Sequence, residues 1–184
     1  MSGSGEVERG EGQAYHHGDL AQAALAEALR IIGEDGAEAL SLRGLAGALG
    51  VTHKALYRHY PSKAVLLSAI ATEGYLQLAA ALTAAAPRPD AFCRAYLEFA
   101  RANGALYRLM MSAPPIADAS ERPKIAVEVI EAARRVFQKD DDIKRVWMIL
   151  HGGLALHELG TLEKRSDADF IDFMVGLAAE GKPE

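Results

Sequence analysis

Between Ser41 and Lys63 the chain is punctuated so closely that only short helices fit. Ser41, Thr52 and Ser62 each suit an N-cap, because a short side-chain oxygen can accept from a free N–H of the first helical turn. Gly50 and Pro61 end the runs between those caps, glycine by tolerating positive φ and proline by lacking an N–H. Within "LRGLAGALG", Leu42, Leu45, Ala46 and Leu49 fall on one face at i, i+3, i+4 and i+7. The second run, "HKALYRHY", opens directly after Thr52. Two short helices joined by a tight glycine turn form the helix-turn-helix pattern. Ala46 is small where the helices must pass closely, Gly50 supplies the turn, and Leu56 plugs the space between them.

The rest of the chain repeats the same logic at greater length. Residues 1–14 are rich in Gly, Ser and Glu without periodicity and read as a flexible tail, with order expected from "YHHGDL". Asp19 suits the cap of helix one, whose apolar positions Leu20, Ala23, Ala24, Ala28, Ile31 and Ile32 run to Gly33 and "EDG". A long helix follows Ser62 toward Pro87, and "DAFCRAYLEFARAN" and "ALYRLMMS" precede a loop expected over 112–120. Helices are then expected from about Glu121 to Phe137, with Ile125, Val129, Ala132, Ala133 and Val136 inward, through "IKRVWMILHGGLALHELGTL", and through "DADFIDFMVGLAAE". No stretch alternates apolar and polar residues as a half-buried strand would. The fold class is therefore all-α with about nine helices.

Charge separates one segment from the whole. The 184 residues carry a formal charge of −5, which argues against indiscriminate coating of nucleic acid. From Ser41 to Lys63, however, Arg43, Lys54, Arg58 and Lys63 stand without a single Asp or Glu, beside His53 and His59. Cys93 is the only cysteine, so an intramolecular disulfide and a thiolate zinc site are both excluded. It reads as a small buried hydrophobe. With no uninterrupted apolar run of membrane length and no signal-like start, the expectation is a soluble cytoplasmic protein.

In a helix-turn-helix the start of the second helix meets base edges in the major groove while flanking groups hold phosphates. Thr52, His53 and Lys54 put donors at that tip, and Arg43 reaches the same groove from the first helix. Tyr57 and His59 suit backbone contacts, and Lys63 at the start of the long helix suits a phosphate. Tyr60 is expected to pack on helix one and not to touch DNA. The competing reading, a solvated basic face of an ordinary bundle, explains the charges but not the spacing of Ala46, Gly50 and Leu56.

These residues carry a family resemblance. "SLRGLAGALGVTHKALYRHYPSKAVLLSAI" resembles the DNA-binding domain of tetracycline-repressor-like (TetR family) transcriptional regulators, over roughly Tyr15 to Leu78. "YHHGDL" is similar to one subgroup, and "VWMILHGGLALHELG" resembles the Trp-His-Gly signature of that subgroup's C-terminal domain. The resemblance implies a DNA-binding domain over 15–78 and a helical effector-binding and dimerisation domain over 79–184. It places Arg43, Thr52, His53, Lys54 and Ala55 at base-facing positions and Tyr57, His59 and Lys63 at phosphate-facing ones. Leu45, Leu49, Val51 and Leu56 match core positions. Gly44 and Gly47 depart from the pattern, since each costs up to about 1 kcal/mol against alanine inside a helix.

The implied partners are a double-stranded operator, a small-molecule effector and a second copy of the chain. Candidate effector residues are Phe92, Tyr96, Phe99, Tyr107, Met110, Trp147 and His151, although aromatic and Met stripes at helical spacing equally describe plain core. "HGG" permits a close helix approach, and the last two helices, apolar on more than one face, are the dimerisation candidates. His151 and His157 point to different sides of one helix, so no metal site and no cofactor are expected. A ligand-responsive repressor, a non-enzyme, is the leading reading. The alternatives are a small helical enzyme or ligand carrier, for which GxSxG, P-loop and GxGxxG motifs are missing, and a protein-binding helical adaptor.

Overall fold

Each of the three caps expected around the turn forms. In the computed structural model, which describes residues 17–85, 87–112, 121–162 and 166–180, with backbone alone for 17–19, 121–126 and 179–180, the Ser41 hydroxyl accepts from Gly44 N–H at 3.0 Å. Thr52 accepts from Ala55 N–H at 3.3 Å and Ser62 from Val65 N–H at 3.2 Å. These caps open α2 (Leu42–Ala48), α3 (His53–His59) and α4 (Lys63–Ala84). α2 closes as the sequence requires. Gly50 has φ +65°, its N–H reaches the Gly47 carbonyl at 3.1 Å, and Val51 N–H reaches that of Ala46 at 3.0 Å.

The described residues form nine helices and no strand. α1 (His17–Asp35) begins two residues before Asp19, which therefore sits in the first turn and not at the cap. It also runs through Gly33, because glycine tolerates helical φ as well as positive φ. The chain turns at Gly36, whose φ is +84° and whose N–H donates to the Ile32 carbonyl at 3.0 Å. α5 (Pro89–Ala102), α6 (Gly104–Met111), α7 (Glu121–Arg134), α8 (Asp140–Glu158) and α9 (Asp167–Glu180) follow. α7 stops three residues short of Phe137, where the N–H groups of Val136 and Phe137 both turn back on the Ala133 carbonyl at 2.9 Å. The tail at 1–14, Tyr15, His16, all of the expected loop over 112–120 except Ser112, and the side chain of Ile125 lie outside the described residues.

α1, α2 and α3 pack around Leu45, Ala46 and Leu56, with Leu45 and Leu56 fully buried. Burial of each leucine contributes about 2 kcal/mol of transfer free energy. Tyr60 ties this head together by donating from its hydroxyl to the Ala21 carbonyl of α1 at 3.1 Å, the packing role expected of it. α4 is the spine, in contact with α1, α5, α6 and α7. By length and hydropathy it is apolar enough to cross a membrane despite Glu73 and Gln77. Its neighbours explain the composition: Leu66, Ile70, Ala71, Leu78, Ala79 and Leu82 are all buried beneath other helices.

Two glycines let side chains of a neighbouring helix lie directly on the helix backbone in the larger half. A Cβ on Gly74 would meet Met110 Sδ at 2.7 Å and Leu106 Cδ1 at 3.0 Å, so these two α6 side chains lie directly on the α4 backbone. Gly153, in "HGG", leaves room for Met174 of α9 to lie directly on α8. α5 is further joined to α9 by ion pairs Arg94–Asp172 (2.7 Å) and Arg101–Asp167.

Candidate nucleic-acid interface and effector cavity

α3 presents the acid-free edge to solvent. Arg43, Thr52, His53, Lys54 and Tyr57 are exposed, whereas Ala55, His59 and Lys63 are half-buried. Leu56 points into the head and carries Ala55 and His59, which lie to the same side of it on α3, partly inward, while Lys63 stands at the start of α4. The rings of His53 and Tyr57, one helical turn apart, lie 4.3 Å from each other on the exposed edge. Arg58, which was not counted among the contacts, is also exposed in the last turn of α3 and adds a cation to that surface.

Lys63 does two things at once. Its ammonium donates to the Glu38 carbonyl at 3.3 Å, joining the start of α4 to the α1–α2 link. An ammonium has three donors, so the two others remain for a phosphate. Nothing in the sequence marked Glu38 as the partner, because a backbone acceptor leaves no residue-type signature.

The second site is internal. Phe92 and Tyr96 of α5, Val129 and Ala133 of α7, Phe137 of the α7–α8 link, and Ile143, Val146, Trp147 and Leu150 of α8 enclose a cavity of about 20 Å³. Phe92 and Phe137 meet edge to face with ring centres 5.3 Å apart. Beside it, Tyr107, Arg108, Met111, Ser112, His151, Leu154, Ala155 and Glu158 line an outer groove of about 260 Å³. A hydrogen-bond chain separates the two spaces: the Tyr96 and Tyr107 hydroxyls are 2.9 Å apart, and the Tyr107 hydroxyl is 2.9 Å from His151 Nδ1.

Burial dominates the acid-base chemistry of that chain. It drives the Tyr96 hydroxyl far above the ordinary tyrosine range, with Tyr107 adding to the effect and Trp147 opposing it. Burial likewise pushes Tyr107 up to about 12. Both phenols stay protonated at neutral pH. Cys93, buried, is pushed up to about 11 for the same reason and is a poor nucleophile.

Of the seven candidate effector residues, Phe92, Tyr96 and Trp147 line the cavity, and Tyr107 and His151 line the groove. Phe99 and Met110 belong to neither. Phe99 is buried in the general core and Met110 is packed on Gly74. The aliphatic lining residues were invisible as site residues because an aliphatic wall and a plain core have the same sequence pattern. Among the described residues there is no group of three His, Cys, Asp or Glu side chains able to hold a metal ion.

An exposed, acid-free helix-turn-helix edge mounted on a helical body with an internal cavity defines a DNA-binding regulator. Comparison with known families agrees: residues 24–70 match "Bacterial regulatory proteins, tetR family", and residues 90–177 match "Tetracyclin repressor-like, C-terminal domain". Together these matches span well over half the sequence, and the chain belongs to the TetR family of transcriptional regulators. No curated protein sequence matches it. Among solved structures it is similar to a protein of unknown function from Rhodococcus sp. RHA1, with 27% identity over 92% of this chain and 98% of that one and a TM-score of 0.74. The fold is also shared with the TetR-like regulator LfrR from Mycobacterium smegmatis in complex with proflavine, at 20% identity, 89% and 97% coverage and TM-score 0.63. The multidrug binding protein EbrR, complexed with imidazole, gives 20% identity, 94% and 97% coverage and TM-score 0.61.

Proposed function

We propose that the protein is a homodimeric repressor that grips a pseudo-palindromic operator and lets go when an effector occupies the cavity. The observation that carries the DNA half is the surface of α2 and α3, where Arg43 of α2 and Thr52, His53, Lys54 and Tyr57 at or on α3 are exposed and no acid falls between Ser41 and Lys63. Arg43, Thr52, His53, Lys54 and Ala55 read bases, and Tyr57, His59 and Lys63 hold phosphates. Cytoplasmic DNA is the implied location.

Dimerisation is supported by the large apolar side chains left on the outer faces of α8 and α9. Met148, Leu156 and Leu159 on or just after α8, and Phe173 and Leu177 on α9, are each more than 40% exposed. Packing α8 and α9 against their copies covers both faces in a four-helix interface with two-fold symmetry. That symmetry sets two copies of α3 one helical turn of DNA apart.

The effector half is supported by the placement of α6. Tyr107 of α6 belongs to the hydrogen-bond chain beside the cavity, while Leu106 and Met110 of the same helix press on Gly74 of α4. A ligand that moves Tyr107 therefore moves α4, whose first residue is tied to the reading head through Lys63. Trp147 and His151 both face these spaces, which supports the Trp-His-Gly subgroup assignment.

Selection of bound sites from a random DNA pool, run with purified protein at two salt concentrations, tests the reading. Enrichment of an inverted repeat at both, with retention falling as salt rises, is the expected result. Enrichment of a single unrepeated half-site would remove the dimer, and no retention at low salt would return the α3 edge to an ordinary solvated face.

A further inference from the structure

The walls of the cavity restrict what can fill it. All nine lining residues are apolar or aromatic, the only polar atoms among them being the Tyr96 hydroxyl and the Trp147 indole N–H. No charged residue is buried among the described residues. The arginines on the flanking helices, Arg145 and Arg101, are ion-paired with Asp142 at 3.5 Å and with Asp167, each keeping one buried guanidinium nitrogen without a hydrogen-bond partner, and neither lines the cavity. A cation or an anion placed here would lose its water and find no counter-charge among the nine lining residues.

The polar corner adds a second restriction. Tyr96 is held protonated by burial and presents a neutral O–H, and either hydroxyl of the Tyr96–Tyr107 pair can be the donor. His151 can accept at Nδ1 in one tautomer and donate there in the other. The chain can therefore run in either direction. When Tyr107 donates to His151 and Tyr96 donates to Tyr107, the Tyr96 oxygen accepts from a ligand. When His151 donates to Tyr107 and Tyr107 to Tyr96, the Tyr96 O–H is free to donate to one. A single hydrogen-bonding head of either sense is satisfied without any ionisation.

Size supplies the third. A space of about 20 Å³ holds little more than one water, so a ligand must displace part of the wall. Phe137 is the one lining residue carried by a link and not by a helix, so its ring can move without unpacking a helix. The room it vacates is that of one aromatic ring, facing Phe92.

We infer that the effector is an uncharged, mainly apolar molecule with a body the size of one ring and a single hydrogen-bonding head, seated between α5, α7 and α8 with that head on Tyr96. This rests on the cavity being the effector site.

The chain contains one tryptophan, Trp147, and it lines the cavity, so its fluorescence reports occupancy directly. Full-length protein is titrated with four one-ring probes: p-cresol, toluene, 4-methylbenzoate and 4-methylbenzylammonium. The expected order places p-cresol tightest, toluene next, and both ions at least about 100-fold weaker than p-cresol. Tyr96→Phe should weaken p-cresol about 3- to 10-fold and leave toluene unchanged, the latter also showing that the variant is folded. An ion that binds within tenfold of p-cresol overturns the uncharged class while leaving the cavity as the effector site. Equal losses of p-cresol and toluene in Tyr96→Phe overturn the role of the hydroxyl head. If no probe alters Trp147 emission up to its solubility limit, the cavity is plain core, and both the class and the effector-site reading fall.

Discussion

The proposed reading head and the proposed effector core place their residues in opposite ways. In the head, the residues assigned to DNA lie within twenty-one positions of one another and mostly face water, positioned by three hydroxyl caps and one glycine turn. In the core, Tyr96, Tyr107 and His151 come from three helices, the last two 44 positions apart, and meet in a bonded chain inside the body. A surface that must meet an outside partner can be specified locally. An internal space is specified only by the packing of the whole domain around it.

The comparison breaks most forcefully at Leu56 and Leu150. Truncation of either to Ala should cost about 2–5 kcal/mol in denaturant unfolding, since both are almost completely buried. Leu56→Ala should also remove operator retention, whereas Leu150→Ala, assayed where it remains folded, should keep the same sequence preference. An altered preference in Leu150→Ala would mean that the two regions are not separable.

Alkaline titration comes next in size. Tyr107 is raised from 10.0 to about 12 on folding, so the folded state holds a proton that the unfolded chain releases first. The stability it contributes is complete below pH 10.0 and is lost as the pH climbs toward about 12. The loss is on the order of 1.4 kcal/mol per pH unit in that window. Tyr107→Phe should flatten this part of the profile in urea unfolding at pH 9 and pH 11, and an unchanged slope would refute the assignment.

Within the head the effects are smaller and divide by type. Lys54→Ala should cost about 1–3 kcal/mol and relax preference at one base position. Lys63→Ala should weaken all sequences alike and lower the salt slope by about one phosphate's worth. A base-specific loss from Lys63→Ala would contradict its place at the base of α4. The least change is expected at the two unusual glycines of α2. Gly47 has open space where a Cβ would go, so Gly47→Ala should stabilise by up to about 1 kcal/mol. At Gly44 a Cβ would come within 2.9 Å of the Ser41 hydroxyl that caps the helix, so Gly44→Ala should gain nothing in thermal unfolding.

What was legible in the sequence follows the same division. The caps, Gly50, Ala46 and Leu56 located the head because each acts within one helical turn of itself. Asp19 misled by a single turn, since a carboxylate is favourable in the first turn of a helix as well as at its cap. In the core, Phe92, Tyr96 and Trp147 were marked by bulk, and Tyr107 and His151 by polarity amid apolar neighbours. Phe99 and Met110 carry the same marks but pack elsewhere, Phe99 in the general core and Met110 where α6 crosses α4 at Gly74. The aliphatic walls and the Glu38 carbonyl beneath Lys63 have no sequence mark at all.

The Gly74 contact also has a mechanical consequence. From Gly74 to Lys63 is half the length of α4, roughly 16 Å at the helical rise. With Gly74 as a fulcrum, a tilt of about 10° carries the far end by about 3 Å, nearly the 3.4 Å rise of a base pair along one strand. The far end is tied to the head by the Lys63–Glu38 hydrogen bond, so a displacement there would act on the α1–α2 link. In the proposed dimer, where symmetry would double it, a pivot this modest would be enough to put two reading heads out of step with their half-sites.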